Sequence, residues 1–158
     1  MNKKLLKGLL GVGMAILLAG CAASIKHVDG DGFKAAAVEA GYEVQDYTDE
    51  FQAQVGDQVK VDQGYYAEGD DGSFVQFVDF ENEDDAKTLY SGWKSATGIS
   101  EDDAKSQTEQ NLEDNDIYTV ADATVTYRII RTEDTVMLGA AEKDSADMMN
   151  KTMDALGK

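Results

Sequence analysis

The chain has 158 residues, of which 42% are hydrophobic and 28% are charged, so it can form one domain with a core and is not disordered by composition. Its 31 acidic residues outnumber its 14 basic residues, for a formal net charge of −17. A chain of that sign repels phosphate groups, which excludes nucleic acid as an expected partner.

The first 21 residues contain a basic segment, an apolar segment and a small-residue segment, in that order. Lys3, Lys4 and Lys7 come before an apolar run over residues 8–18. Ala19 and Gly20, both small, then precede Cys21. This order is typical of a secretory signal peptide. The apolar run is shorter than the roughly 20 residues that a membrane-spanning helix needs.

The segment LAGC, which ends at Cys21, closely resembles the lipobox of bacterial lipoproteins. The resemblance implies that diacylglycerol is joined to the Cys21 sulfur, that signal peptidase cuts between Gly20 and Cys21, and that residues 1–20 are removed. The mature chain then has 11 basic and 31 acidic residues, a net charge of −20, and its lipid attaches it to the membrane. We expect it on the extracytoplasmic face of the bacterial cell membrane, or at the outer membrane if the source is Gram-negative.

Other roles for Cys21 have less support in the sequence. A disulfide needs a second cysteine, and the chain has only one. A zinc site needs several Cys or His ligands, and His27 is the sole histidine. A Cys–His catalytic pair with His27 would lie at the processing site, before the folded domain begins. We therefore expect no catalytic residue, no metal ligand and no cofactor here.

A lipidated cysteine and polar tether are predicted over residues 21–31, and a single domain over residues 32–158. The domain begins with a helix that ends at Gly41, because apolar side chains recur there at helical spacing: Phe33, Ala36, Ala37 and Ala40. A short strand follows over residues 42–47. The next segment is ambiguous and is compatible with a short helix that starts at Thr48 and ends at Gly56.

The middle of the chain predicts a hairpin and a helix. Residues 64–80 have aromatic and β-branched runs on both sides of the turn sequence GDDG. Asn82 and Asp85 then form a capping pair at the start of a helix that Gly98 ends, with Trp93 on its apolar stripe. Residues 99–116 have little apolar face, and they predict a polar helix or an exposed loop.

The last third predicts three strands and a helix. The strands cover residues 117–120, 124–129 and 136–138, where apolar and polar side chains alternate. The closing helix has an apolar stripe at helical spacing: Ala146, Met149, Met153 and Leu156. We therefore predict an α+β fold, an antiparallel sheet of about five to six strands with helices packed on one face. The order of elements is compatible with two αβββ-like repeats plus a C-terminal helix, or with a hairpin-and-helix unit that simply recurs.

Four acidic clusters begin at Asp29, Glu68, Glu81 and Glu113. The EF-hand pattern fails from Asp29, because its fifth position is Phe33 and its sixth is not glycine. Solvated surface and helix starts explain such clusters more simply, since acidic groups favour a helix N-terminus. Weak binding of a divalent ion is the alternative.

Two adjacent tyrosines are the candidate ligand-facing aromatics. Tyr65 and Tyr66 lie on opposite faces of their strand, so one of them is expected to be exposed or covered by another element. An exposed aromatic row binds sugars or peptides. Trp93 follows the helix period, and we expect it in the core.

The body of the chain resembles small uncharacterised surface lipoproteins of Gram-positive, clostridia-like bacteria, through a helix, the segment GYEV (residues 41–44), a hairpin and the pattern FxNxxDAK (residues 80–87). That resemblance carries no activity, and the sequence has no nucleophile elbow and no P-loop glycine pattern. We expect a lipid-anchored, non-enzymatic domain that binds an unknown envelope protein or a small ligand at the cell envelope. The alternative is a lipoprotein that binds a small ligand or a divalent cation.

Overall fold

The computed structural model describes residues 25–157, which form four α-helices and seven strands. The helices are α1 (Gly30–Ala40), α2 (Thr48–Val55), α3 (Glu83–Ala96) and α4 (Asp147–Leu156), and a 3-10 turn covers Lys143–Ser145. The strands are β1 (Glu43–Asp46), β2 (Val61–Glu68), β3 (Phe74–Phe80), β4 (Ser106–Asn111), β5 (Asn115–Ala121), β6 (Val125–Thr132) and β7 (Thr135–Glu142).

The strands form one sheet in the order β1-β2-β3-β7-β6-β5-β4, and every neighbouring pair is antiparallel. This confirms the predicted α+β class with an antiparallel sheet and packed helices. The sheet has seven strands, one more than the predicted upper number. The two halves of the chain join along β3 and β7, where Phe77 lies opposite Met137.

The additional strand is β4, which lies within residues 99–116. The prediction of a polar helix or exposed loop there was wrong for residues 106–111. These six residues pair with β5 from Ser106 opposite Ala121 to Asn111 opposite Asp116. Five of the six are exposed, so backbone hydrogen bonds hold the strand and no apolar alternation marks it in the sequence.

The helices cover both faces of the sheet, and the prediction that they lie on one face was wrong. Successive residues of β3 show the reason, because Val75 and Phe77 are buried on one face while Val78 and Phe80 are buried on the other. A strand that is apolar on both sides needs cover on both sides. Helices α1 and α4 pack together on the face of Phe77, and α2 and α3 lie on the face of Val78.

The strands, but not the helices, follow the predicted pair of αβββ units. Strands β1–β3 and β5–β7 occupy matching positions on the two sides of the β3–β7 junction. If the two units were true repeats, a two-fold axis perpendicular to the sheet would relate the antiparallel strands β3 and β7. Such an axis would leave the first helix of each unit on the same face of the sheet. Helices α1 and α3 instead lie on opposite faces.

The fold includes part of the segment that the sequence predicts to be a tether. Ile25 and Val28 are each 7% exposed and pack into the core beneath α1 and α4. Two apolar side chains three residues apart can therefore anchor a segment that is otherwise polar. Within residues 25–157, no helix combines the length and apolar character that crossing a membrane requires.

Candidate functional site

An open groove of about 920 Å³ lies between α3 and strands β4 and β5. We call it the α3 groove. Its walls include two side chains of α3 and three of the facing strands: Tyr90, Lys94, Glu109, Asn111 and Tyr118. Polar and charged side chains dominate the lining, which suits a polar ligand.

Local sequence chemistry positions α3 beside this groove. Asn82 is the N-cap, its side chain accepts a hydrogen bond from the Asp85 amide, and three acidic residues occupy the first turn. Ala86 and Tyr90 are buried against the sheet, one turn apart. The helix contacts β3, β6 and β7, and the groove lies where α3 faces the outer strands β4 and β5.

Tyr90 is the most unusual side chain in the groove. It is 6% exposed, and its hydroxyl oxygen is buried with no hydrogen-bond partner among residues 25–157. Burial raises the pKa of this phenol, and the carboxylates of Asp116 and Glu109 raise the pKa further. The hydroxyl is therefore protonated at neutral pH and can both donate and accept a hydrogen bond.

Lys94 crosses the groove from α3 to β4. Its ammonium donates a hydrogen bond to Glu109 Oε1 and lies 5.0 Å from the centroid of the Tyr118 ring. The hydrogen bond from Lys94 lowers the pKa of the Glu109 carboxyl. Glu109 also accepts a weaker bond from Asn111 Nδ2 at 3.3 Å.

A buried arginine closes the inner end of the groove. The Arg131 side chain is 2% exposed, and its Nε donates to Asp116 Oδ2 at 2.6 Å. Its Nη1 donates to Glu83 Oε1 and to the Glu133 carbonyl oxygen, each at 3.1 Å. These bonds neutralise the cation and fix the carboxylate of Asp116, as a buried charge requires.

A second polar cluster lies at the β6–β7 turn. His27 Nδ1 is 3.5 Å from Asp134 Oδ1 and 3.7 Å from Glu133 Oε2. Burial, followed by the charge of Asp134, raises the pKa of nearby Asp79 to about 6. Asp134 Oδ1 is buried without a hydrogen-bond partner in the described part of the chain. One imidazole nitrogen and several carboxylate oxygens are the donor set of a divalent transition ion.

The sequence places His27 in a tether, far from any partner, whereas the structure brings it to the end of a hairpin. Ile25 and Val28 carry the segment onto the fold and so position His27 beside Asp134. Only long-range packing creates this contact, because more than 100 residues separate the two side chains in the chain. The spacing of apolar residues around His27 is the one sequence signal that could have indicated it.

The predicted site residues have different outcomes. Gly20 and Cys21 lie outside the described residues. Tyr65 is buried, and its ring stacks on Phe33 and Phe77 at centroid distances of 6.2 and 6.0 Å. Tyr66 lies half-buried on the opposite face, where its ring stacks on Phe74. The two tyrosines therefore face opposite sides of the sheet, and neither lines the α3 groove.

Several members of the acidic clusters have local roles in the backbone. Asp29 is the N-cap of α1 and accepts a hydrogen bond from the Gly32 amide at 2.7 Å. Asp71 accepts bonds from the amide and the hydroxyl of Ser73 in the β2–β3 turn. The cluster after Glu81 forms the first turn of α3. The positions of Asp29 and of the cluster after Glu81 agree with the helix-start explanation, whereas Asp71 stabilises a hairpin turn.

Sequence reasoning missed the α3 groove for two reasons. Tyr90 lies on the apolar stripe of its helix and is buried as that pattern predicts, so the sequence does not mark its hydroxyl. The opposite wall includes β4, which has no strand pattern. The strand signal of residues 117–120 did predict β5, but the identity of its neighbour in the sheet is decided by tertiary pairing.

Comparison with solved structures found a distant structural resemblance. No family model and no curated protein matches the chain. A solved structure of a GTP binding regulator from Thermotoga maritima resembles it with a TM-score of 0.46 and 10% sequence identity, over 82% of this chain and 88% of that one. A structural resemblance this weak gives no information about what this chain binds.

Proposed function

We propose that the mature protein is a lipid-anchored, non-catalytic binding domain on the extracytoplasmic face of the cell membrane, and that the α3 groove is its binding site. The lipobox sequence that ends at Cys21 supports the anchor. The size and polar lining of the groove support a small polar ligand, which was the alternative function predicted from the sequence. An envelope protein that inserts a side chain into the groove is compatible with the same site.

The unpartnered hydroxyl of Tyr90 is the main reason for proposing the α3 groove as the binding site. A buried hydroxyl without a hydrogen bond costs about 1–3 kcal/mol of stability. A ligand that supplies this hydrogen bond recovers that free energy as binding energy. Tyr90 is one of the residues that line the open groove, so a ligand bound there contacts this side chain without unfolding α3.

The anchor is tested with Cys21→Ser. The lipid attaches through the sulfur, so this variant should stay unprocessed or lose its acyl chains, and mass spectrometry of the membrane fraction reports both. Normal processing and unchanged membrane retention of the variant contradict the anchor. A Cys21→Ser chain released from the membrane would still bind ligand, because the groove lies in the folded domain.

The groove is tested by filling it. Ser91 is exposed and lines the groove, whereas Thr88 is exposed on the same helix and does not line it. Ser91→Trp should therefore block ligand entry, and Thr88→Trp serves as the matched control. The measurement is the Tm of the full chain in detergent, with and without a low-mass extract of the native envelope.

A ligand present at ten times its Kd raises the Tm of a domain of this size by about 4 °C. We expect that shift for the unsubstituted chain and for Thr88→Trp, and its loss in Ser91→Trp. An equal shift in Ser91→Trp, or no shift in the unsubstituted chain, contradicts the groove as the binding site.

Divalent-cation binding is a second candidate function, and the cluster of His27, Glu133 and Asp134 favours it. Their candidate ligand atoms all lie within 4.8 Å of one another, and Asp134 Oδ1 makes no hydrogen bond within residues 25–157. An imidazole donor points to Zn²⁺ or Mn²⁺ and away from Ca²⁺, which prefers oxygen alone.

Calorimetric titration of the full chain with Zn²⁺ tests the cation site. We expect one site that His27→Asn and Asp134→Asn each remove. Asp103→Asn is the control, since it removes an exposed carboxylate elsewhere. Zn²⁺ binding that persists in His27→Asn reflects the general acidity of the chain and contradicts this site.

A further inference from the structure

Lys94 has the surroundings of a bound ammonium ion. Its Nζ is paired with the Glu109 carboxylate and lies over the face of the Tyr118 ring, 5.0 Å from the centroid. A carboxylate beside an aromatic face is an arrangement that attracts ammonium groups. The Lys94 side chain is 33% exposed on a flexible four-carbon stem, so it can leave the groove for solvent.

Two other properties of the groove suit a cation. Tyr90 Oη has free lone pairs, and Lys94 does not reach it, since the oxygen has no partner among the described residues. Two carboxylates, those of Glu109 and Asp116, lie near this oxygen. Arg131 already holds Asp116, so Glu109 is the carboxylate that an incoming cation can take over.

We propose that the α3 groove binds a small molecule with a primary alkylammonium group, and that Lys94 occupies the ammonium position until this ligand displaces it. The inference rests on the groove being the binding site proposed above. The ligand's ammonium would donate a hydrogen bond to Glu109 and lie over the Tyr118 ring, as Lys94 Nζ does. A free polyamine and the side chain of a lysine derivative share this chemistry.

The net charge of the mature sequence favours the same ligand class. A net charge of −20 concentrates cations near the surface and speeds their association. General attraction would act everywhere on the protein, whereas displacement of Lys94 is local. A test must therefore separate the groove from the rest of the acidic surface.

The chain contains a matched control on the other side of the sheet. Lys34 Nζ lies 2.8 Å from Asp31 Oδ1 and 4.9 Å from the centroid of the Tyr65 ring. This trio repeats the chemistry of Lys94, Glu109 and Tyr118. Within residues 25–157, it has no buried hydroxyl that lacks a hydrogen-bond partner, and it does not line the α3 groove.

The test is calorimetric titration of n-butylammonium into the full chain in detergent. Lys94→Ala removes the internal competitor, so it should bind n-butylammonium about tenfold more tightly than the unsubstituted chain does, the factor expected from one exposed ion pair and one cation–π contact. Lys34→Ala should bind as the unsubstituted chain does. Adding Glu109→Gln to Lys94→Ala should weaken the binding again, because it removes the charge that pairs with the ammonium.

Two ligand arms and one neutral probe complete the design. Spermidine and Nα-acetyl-lysine amide represent the two sources of the ammonium group, and the one that binds Lys94→Ala more tightly identifies the source. The neutral probe 1-butanol should not bind, because it lacks the charge that Glu109 recognises.

Lys94→Ala that binds n-butylammonium no more tightly than the unsubstituted chain overturns the inference, as does equal binding of 1-butanol. The proposed function can survive that result. If Ser91→Trp still abolishes the thermal shift with envelope extract, the groove remains a binding site and its ligand belongs to another chemical class.

Discussion

The two faces of the sheet are covered in different ways. On one face, α1 and α4 contact each other and exclude solvent from Phe33, Phe77 and Met149. Gly139 on β7 allows α4 to pack closely on the sheet, because a Cβ there would lie 2.7 Å from Met149 Cγ. On the other face, α2 and α3 lie over the inner strands, and no helix within residues 25–157 covers β4.

We propose that one face mainly provides stability and the other provides the binding site. The face of α1 and α4 has an aromatic stack that buries apolar area, which is the main source of folding free energy. The face of α3 adds a polar network around Arg131 and leaves the α3 groove open beside it. A lysine–tyrosine pair occurs on each face, but only the one of Lys94 and Tyr118 lies in a groove.

The largest effect is expected in the aromatic stack. Phe77 is fully buried, and its ring lies 5.2 Å from that of Phe33, so Phe77→Ala should lower the free energy of unfolding by about 3–5 kcal/mol. Urea denaturation measures it. Phe74→Ala, on the same strand but half-buried on the opposite face, should cost about half as much. Equal losses would mean that the two faces contribute alike.

A smaller effect is expected in the polar network on the other face. Asp116→Asn removes the charge that pairs with buried Arg131, while Glu83 and the Glu133 carbonyl still accept from that side chain. We expect a loss of about 2–3 kcal/mol in urea denaturation. Asp114→Asn changes an exposed neighbour and should stay within about 0.5 kcal/mol. An unchanged stability of Asp116→Asn would show that Arg131 does not depend on this partner.

The helix caps should have similar effects on the two faces. Asp29 caps α1 and Asn82 caps α3, each through one side-chain oxygen. Replacing either by alanine should cost about 1 kcal/mol in thermal or urea unfolding. Glycine at the same positions should recover most of the loss. If one alanine variant lost several times more stability than the other, tertiary contacts of that side chain, and not capping alone, would stabilise its helix.

The smallest effect concerns pH and the β3 residue Asp79. Its pKa in the folded chain is raised from 3.8 to about 6, chiefly by burial. The folded state therefore binds the proton more tightly, so the free energy of unfolding should fall as pH rises from about 4 to about 6, and stay lower above that range. After discounting for solvent screening, Asp79→Asn should gain about 0.5–1 kcal/mol at pH 7.5.

The pH profile of unfolding checks this prediction. Asp79→Asn should remove the fall between pH 4 and pH 6 and should match the unsubstituted chain at pH 3, where Asp79 is protonated in both states. A stability difference that is the same at every pH would show that burial of the Asp79 charge does not cause it.

Local signals in the sequence predicted most of the elements. The periodicity that ends at Gly41 predicted α1, whose C-cap is that glycine, and the Asn82–Asp85 pair predicted the start of α3. The turn GDDG predicted the β2–β3 hairpin, in which Glu68 lies opposite Phe74. These signals depend on contacts between residues close in the chain, so they can be recognised without the fold.

Features that depend on distant residues could not be predicted. Strand β4 exists because β5 offers an unpaired edge to six polar residues, and their side chains give no sign of it. Burial of Val75 and Val78 on opposite faces follows from the central position of β3 in the sheet. His27 contacts Asp134 only because Ile25 and Val28 pack into the core.

The sequence by itself determined the α+β class, most helix and strand positions and the acidic character of the chain, because propensity, spacing and charge act locally. Its lipobox pattern remains the basis for the proposed anchor at Cys21. Only the tertiary structure decided the order of the strands, the two-sided cover and the α3 groove. A groove is space between elements, and the residues that line it, Tyr90 on a helix and Tyr118 on a strand, come together only when α3 packs against the sheet.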